Sequence, residues 1–331
     1  MMGKVAVLGA GAWGTAWSTL LANNGYAVSL WCYEPGVVAE IDATGINKRY
    51  LPSIQLPSGI TPTHDLACAL DGATVIFEAV PVAFLRSILI AAKPHVAPTV
   101  PWVTLSKGIE QRTLSLPLQV IADVLGAAVP TAVVSGPTFA KELAQKTISA
   151  ATLASADAAL AKQLIHQLKN DYMTLHLSDD PIGVQVGGAV KNIIALAVGM
   201  AHGAGYGHNT TAYLITMGLV EMAAIAQVLG GKKETLYGLS GLGDLVLTCT
   251  GEQSKNLRVG TMFGTGKSFE QVRQEVPVLP EGVNTVESVR ELALKHRLPL
   301  PLCLGMHACM FQGASFPDLV HSLEDRYTAS I

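Results

Sequence analysis

Lys4-Val5-Ala6-Val7-Leu8-Gly9-Ala10-Gly11-Ala12-Trp13-Gly14, near the start of the chain, carries the strongest fold signal in the sequence. An apolar run with strand character enters a G-x-G-x-x-G turn, and the helical stretch Thr15 to Asn24 follows, ending at Gly25. In this context Gly9 permits the tight turn, Gly11 lets the backbone approach a pyrophosphate, and Gly14 lets helix and strand pack closely. The helix N-terminus then offers unpaired N–H groups and a positive dipole end to phosphates. A purely structural glycine turn would read the same over these six residues alone, and the strand–turn–helix setting is what favours a dinucleotide. Glu34 falls twenty positions after Gly14, where an acidic side chain can accept from a ribose 2′-hydroxyl, which points to NAD. Alternatively, Tyr33 walls the adenine and Glu34 points away.

Outward from this stretch, no charged residue occurs between Lys4 and Glu34. Signal peptides, membrane spans and the first strand and helix of a parallel sheet buried on both faces share that pattern. Interrupting glycines and the polar Thr15, Ser18, Asn23 and Asn24 favour the buried sheet. Short β-branched runs recur at Val5 to Leu8, Ala27 to Trp31, Thr74 to Val80, Val100 to Leu105, Thr131 to Val134 and Ile148 to Leu153. Helical stretches such as Phe84 to Ala92 and Leu116 to Leu125 separate them, and this alternation predicts right-handed βαβ units in a doubly wound sheet. From about Ile182 the strand signal fades. Val190 to Ala201, Ala212 to Leu229 and Val283 to Leu294 read as helices. The expected fold is an α/β Rossmann-like domain over residues 1–184 followed by an all-α domain over 185–331, with the boundary near Asp180 to Gly188.

Composition sets limits on function. With 331 residues, 50% of them hydrophobic and 14% charged, the chain has material for two cores and is not disordered. A net charge of −3 and no Lys/Arg run longer than a pair argue against nucleic acid as a partner. Cys32, Cys68, Cys249, Cys303 and Cys309 form no CxxC pair, so neither a disulfide framework nor a metal site is expected.

Two solitary charges stand out. Lys191 is the only charged residue, histidines aside, from Pro181 to Val220, and Asp244 is the only one from Thr235 to Gly251. A desolvated lysine has a lowered pKa that suits proton transfer near neutrality, and opposite lone charges are natural partners. An interior ion pair without catalytic role, or a lysine reaching its ammonium to solvent, fits the same spacing. Lys107, in Ser106-Lys107-Gly108, follows an apolar strand and so lies at the ligand-binding edge of an open parallel sheet. Ser135-Gly136-Pro137-Thr138-Phe139-Ala140 also follows a strand and offers N–H groups and a hydroxyl to an anion, or is an ordinary turn. Ser254-Lys255-Asn256-Leu257-Arg258 reads either as a phosphate receptor or as a solvated helix start.

Taken in order, GAGAWGTA at Gly9, SKGIE at Ser106, SGPTFAKE at Ser135, GVQVGGAVKNIIA at Gly183, GLGDLVLTCT at Gly241 and Glu281-Gly282 resemble the bacterial NAD(P)-dependent glycerol-3-phosphate dehydrogenases. The likeness runs from Lys4 to about Leu294. It implies interconversion of dihydroxyacetone phosphate and sn-glycerol 3-phosphate, feeding glycerophospholipid synthesis, by a cytoplasmic homodimer using NAD or NADP, without stable membrane insertion. It further implies that Lys191 transfers the proton and Lys107 polarises the carbonyl between nicotinamide and substrate. Asn192, Asp244 and Thr248 would orient the glycerol part. Gly136, Thr138, Ser254, Lys255 and Asn256 would surround the substrate, and Ala12, Trp13, Tyr33, Ala140, Lys255, Leu279 and Glu281 would line the cofactor.

Two positions depart from the family pattern, which usually has arginine at Lys255 and often another at Leu257. Lysine attracts phosphate but lacks the planar fork for bidentate binding, and Arg258 stands nearby in sequence to compensate. The chemistry implied needs no metal: hydride passes to C2 while lysine ammonium groups stabilise and protonate the developing alkoxide. A β-hydroxyacid or phosphogluconate dehydrogenase shares the domain order and a helix lysine, but takes a carboxylate substrate. A nucleotide sensor with a Rossmann domain would need none of Lys191, Asp244 and Lys107.

Overall fold

The computed structural model describes residues 3–276 and 278–328, and contacts within the chain divide it into two compact units. The first comprises Met1–Ser106 and Pro117–Pro181, the second Lys107–Leu116 and Ile182–Ile331. The short segment Lys107–Leu116 thus groups with the later half, an assignment that a single cut at residue 184 does not contain.

In the first unit, β1 (Lys4–Leu8) shows why its apolar run is continuous. Val5 and Val7 enter one core with Trp17, Leu20 and Leu21, whereas Ala6 and Leu8 enter a second core with Leu85 and Leu89. Side chains alternate across a strand, so a sheet covered on both faces needs apolar residues at every position. The other strands are β2 (Ala27–Trp31), β3 (Ile60–Thr63), β4 (Ile76–Glu78), β5 (Trp102–Thr104), β6 (Thr131–Ser135), β7 (Ser149–Ala154) and β8 (Met173–Ser178). Between them run α1 (Ala12–Asn23), α2 (Pro35–Thr44), α3 (Leu66–Leu70), α4 (Val82–Ala92), α5 (Pro117–Leu125), α6 (Ala140–Ala144) and α7 (Ala158–Leu168).

The eight strands lie in the order β3-β2-β1-β4-β5-β6-β7-β8. All neighbours are parallel except β6 and β7. The chain winds outward in opposite directions from β1 and β4, which makes the carboxyl ends of those two strands the topological switch point. Six of the strands coincide with the β-branched runs. β3 and β8 do not, and both are edge strands: β3 carries Pro62, tolerated only at an edge, and β8 is covered on one face, so that Met173 and Leu175 are buried while Thr174 and His176 are exposed.

The second unit contains no strand among its described residues. Its helices are α8 (Pro181–Gly203), α9 (His208–Val228), α10 (Asp244–Thr250), α11 (Lys255–Gly264), α12 (Phe269–Glu275), α13 (Glu281–His296), α14 (Pro301–Phe311) and α15 (Phe316–Thr328). α8 and α9 have the length and hydropathy of membrane spans, but the apolar window of α8 is 94% buried inside the folded chain. α9 turns Leu214, Gly218, Met222 and Ile225 inward at spacings of three and four, the face of an amphipathic helix. From that face Glu221 accepts hydrogen bonds from the amides of Leu302 at 2.6 Å and Cys303 at 2.9 Å, capping α14 with a buried carboxylate.

α8 and α11 cross at backbone distance. A methyl group at Gly199, Gly203, Gly260 or Gly264 would begin 2.0–2.2 Å from a main-chain oxygen of the other helix. Leu196 faces Gly260 and Met200 faces Gly264, so the contact advances by four residues on both helices and they run in the same direction. Gly260→Ala places its β-carbon against the Leu196 carbonyl, and overpacking of this kind costs about 1–3 kcal/mol or more. Its thermal midpoint should therefore fall by several degrees, and an unchanged midpoint would contradict the close crossing.

Candidate active site

Four-residue spacing brings the two solitary charges together. On α8, Gly187 lies one turn before Lys191, and a methyl at Gly187 would meet the Ser240 carbonyl oxygen at 2.3 Å. The π-helical turn Leu239–Gly243 therefore rests on this face of α8. Asp244 is four residues after Ser240, as Lys191 is four after Gly187, so the next contact along sets ammonium against carboxylate.

Lys191 Nζ donates to Asp244 Oδ1 and, at 2.8 Å, to Thr248 Oγ1. Thr248 spends its own proton on the Asp244 carbonyl at 2.6 Å, leaving a lone pair for the lysine. The other carboxylate oxygen, Oδ2, accepts from Lys107 Nζ at 2.6 Å. One carboxylate, 1% exposed, thus holds two ammonium groups that are 8% and 18% exposed. Burial keeps the Lys191 amine below the usual lysine range. Asp244 opposes that shift and the second ammonium, Lys107, reinforces it.

Around this centre, Asn256 Nδ2 donates to Asn192 Oδ1 at 2.9 Å, one turn before the Leu196–Gly260 contact. Asn256 Oδ1 accepts from Gly282 N at 3.2 Å, and a methyl at Gly282 would collide with it at 2.4 Å. Both asparagines are buried, and these bonds fix α8, α11 and α13 to one another. Ser254 caps α11 by accepting from Leu257 N at 3.2 Å, while Lys255 and Arg258 are exposed on the first turn. Leu279 packs against the core of this unit and Glu281 opens α13.

In the first unit, the glycine turn occupies the switch point. Gly9 has φ +105°, and a methyl there would lie 2.8 Å from the Ala79 carbonyl oxygen at the end of β4. A methyl at Gly14 would lie 1.9 Å from the Gly9 carbonyl, so α1 packs on its own turn. At Gly11, by contrast, nothing stands within 4 Å of the missing β-carbon, and no side chain caps α1. Beside this gap the Trp13 indole N–H is buried without a partner. An open cradle with unclaimed donors at the start of a twelve-residue helix fits a dinucleotide pyrophosphate.

At the end of β2, Tyr33 is 76% exposed and its ring meets Trp31 edge-on. Glu34 accepts from Tyr50 Oη at 2.8 Å and lies 3.7 Å from the Arg49 guanidinium. Neither Arg49 nor Tyr50 stands out in the sequence, because the whole of α2 and the turn after it separate them from Glu34. After β6, a methyl at Gly136 would meet Ala151 Cα at 2.6 Å, Thr138 Oγ1 donates to the Gly136 carbonyl at 3.1 Å, and Ala140 opens α6. The Ser135 hydroxyl is buried without a partner.

Comparison with known proteins joins these two halves to one family. Residues 4–161 match the family profile for the N-terminus of NAD-dependent glycerol-3-phosphate dehydrogenase, and residues 180–321 match that for its C-terminus. The chain belongs to this family. The glycerol-3-phosphate dehydrogenase [NAD(P)+] of Geobacter metallireducens is 41% identical over 311 residues, covering 93% of each chain. That of Thiobacillus denitrificans is 41% identical over 324 residues, covering 98% of each. The crystal structure of glycerol-3-phosphate dehydrogenase from Coxiella burnetii superposes with a TM-score of 0.93 at 39% identity, over 97% of this chain and 98% of that one.

Within the family's cofactor chemistry, the Glu34–Arg49 pair makes a test. A Glu34 that faces the ribose would repel a 2′-phosphate while holding Arg49, and Glu34→Ser should then shift the ratio of NADPH to NADH affinity toward NADPH by on the order of tenfold. Dissociation constants from nicotinamide fluorescence would check this, and an unchanged ratio would place Glu34 away from the ribose.

Proposed function

We propose that Lys191 is the proton-transfer group of this chain and Asp244 the residue that sets its charge state. The chain is an NAD(P)-dependent glycerol-3-phosphate dehydrogenase, interconverting dihydroxyacetone phosphate and sn-glycerol 3-phosphate, a precursor for glycerophospholipids. The carrying observation is the single buried carboxylate that grips two lysine ammonium groups. When bound, the nicotinamide supplies or accepts the hydride at C2. Everything else falls to side chains. Lys191 gives its proton to the oxygen on C2 in reduction and recovers it in oxidation. Lys107, the second ammonium on Asp244, polarises the carbonyl and stabilises the developing alkoxide.

Thr248 holds Lys191 in line, and Asn192, bonded to Asn256, orients the glycerol hydroxyls. The substrate phosphate takes the exposed first turn of α11, where Lys255 and the helix N-terminus supply positive charge, with Ser254 and Asn256 flanking. Remote binding of that phosphate is what holds the carbonyl for reaction. Gly9, Gly11, Gly14, Ala12 and Trp13 take the pyrophosphate side of the cofactor, and Tyr33 and Glu34 the adenosine side. Ala140, Leu279 and Glu281 line the remainder, as the family likeness implies. The same likeness supports a homodimer working in the cytoplasm, and the burial of α8 supports a chain that does not insert into membranes.

Lys191→Ala should lower kcat by about 10²–10⁴-fold with NADH binding largely kept. Turnover close to that of the wild type in a folded variant would remove Lys191 from the mechanism. Running dihydroxyacetone phosphate against NADH and NADPH in parallel tests substrate and cofactor at once.

The pH dependence carries a sign. Lys191 must be protonated to act as the acid, so ketone reduction declines as pH rises through its lowered pKa. Asp244 favours the charged amine, and Asp244→Asn should therefore move the alkaline limb of kcat to lower pH. A limb that stays in place would separate Asp244 from the titration of Lys191.

A further inference from the structure

Glu78 ends β4 at the switch point, fully buried, and no step of the reaction above uses it. Its carboxyl group is enclosed by two hydroxyls and a main-chain amide. Thr104 Oγ1 donates to Oε1, Val80 N donates to Oε2 at 3.3 Å, and Ser106 Oγ lies 2.7 Å from Oε2. The Ser106 hydroxyl also lies 2.5 Å from the Val80 carbonyl oxygen. A hydroxyl has one proton, and a carbonyl oxygen can only accept. If Ser106 donates to Val80, its contact with Glu78 requires a proton on the carboxyl group. If it donates to an ionised Glu78, two acceptor oxygens face each other at 2.5 Å. The proton inventory closes only when Glu78 is neutral.

The location gives this proton a consequence. Ser106 is the last residue of the first unit before the chain passes into Lys107–Leu116. Val80 follows Ala79, whose carbonyl oxygen abuts the Gly9 turn. Ser106 thus ties the end of β5 to the turn after β4. We propose that Glu78 is a protonated carboxylic acid in the working protein, a positioning residue whose proton completes a Glu78–Ser106–Val80 clasp and fixes the point from which the Lys107 segment departs. The positioning role rests on the assignment of Lys107 above; the protonation does not.

The surroundings agree with this protonation. Burial pushes the Glu78 carboxyl up to about 7, partly opposed by Thr104, Ser106 and the Val80 amide. Of the strands paired with β4, β1 carries only Lys4, whose ammonium donates to the Cys68 and Asp71 carbonyls, and β5 carries no titratable group. Because the folded pKa lies above the unfolded one, near 4.5, the stability contributed is complete below about 4.5 and is lost as pH rises towards 7.

Glu78→Gln keeps a donor and a carbonyl acceptor on this side chain with no proton to lose, which makes it the decisive variant. An infrared difference spectrum of wild type minus Glu78→Gln at pH 5.5 should contain the carbonyl stretch of a protonated carboxyl group. A carboxylate band in its place overturns the proposal. The wild-type thermal midpoint should fall between pH 5 and 7.5 more than that of Glu78→Gln, and coincident profiles overturn it too. For the positioning role, kcat/KM of the wild type should drop with an apparent pKa near 7 that Glu78→Gln lacks, with the higher limb of Lys191 remaining in both. Absence of that lower limb from the wild type removes the positioning role. Unaffected turnover in Lys107→Ala would instead defeat the assignment of Lys107, and the infrared result would stand apart from it.

Discussion

A carboxylate in an apolar helical unit must be compensated where it stands, and the second unit is organised around that requirement. Asp244 cannot recover its lost hydration except through hydrogen bonds, and it receives them from Lys107 and Lys191, one on each oxygen. Removing the carboxylate from such an arrangement strands both ammonium groups, at a cost of about 3–5 kcal/mol or more. The π-helical turn before Asp244, the glycine at 187 and the threonine four residues after the aspartate each follow from bringing that carboxylate within reach of α8. Two ammonium groups on one carboxylate also leave a net positive charge, which suits a site that must receive a phosphorylated substrate and a developing alkoxide.

How much of this could be read from the chain depends on the range over which each signal acts. The Gly9–Gly14 turn is local: φ at Gly9 and the contact of Gly14 with its own turn are set within six residues, and sequence reveals them. Lys191 and Asp244 were legible for another reason, since each is conspicuous against many uncharged neighbours. The role of Lys107 as the second partner of Asp244 was not legible, because a lysine after an apolar strand looks alike whether it faces solvent or a carboxylate 137 residues away. The same limit hides Arg49 and Tyr50 behind Glu34. The strands β3 and β8 escaped because edge strands tolerate proline and polar faces, and the apolar continuity that marks central strands is not required of them.

The glycines of the second unit show a further kind of hidden information. Gly199, Gly203, Gly260 and Gly264 sit inside helices, where propensity alone marks them as unfavourable. Their use appears only when α8 and α11 are placed side by side, since the missing side chains allow main chains to touch. That proximity puts Asn192 and Asn256 within hydrogen-bond distance, with Ser254 and Lys255 the two residues just before Asn256. A helix start that reads as ordinary solvated surface thereby joins the neighbourhood of the two lysines. Lysine at residue 255 gives that turn a compact point charge and not the planar fork of an arginine.

Glu78 and Asp244 make the opposing case for environment over residue type. Both are buried carboxyl groups. Asp244 faces two ammonium groups, so its charge is the reason those lysines converge. Glu78 faces hydroxyls and an amide, with Ser106 already close to a carbonyl that can only accept. A negative charge is matched in the first setting, whereas in the second a proton is what completes the hydrogen bonds. The two carboxyl groups are thus divided by their neighbours, one holding two ammonium groups and the other a neutral donor at the end of a central strand.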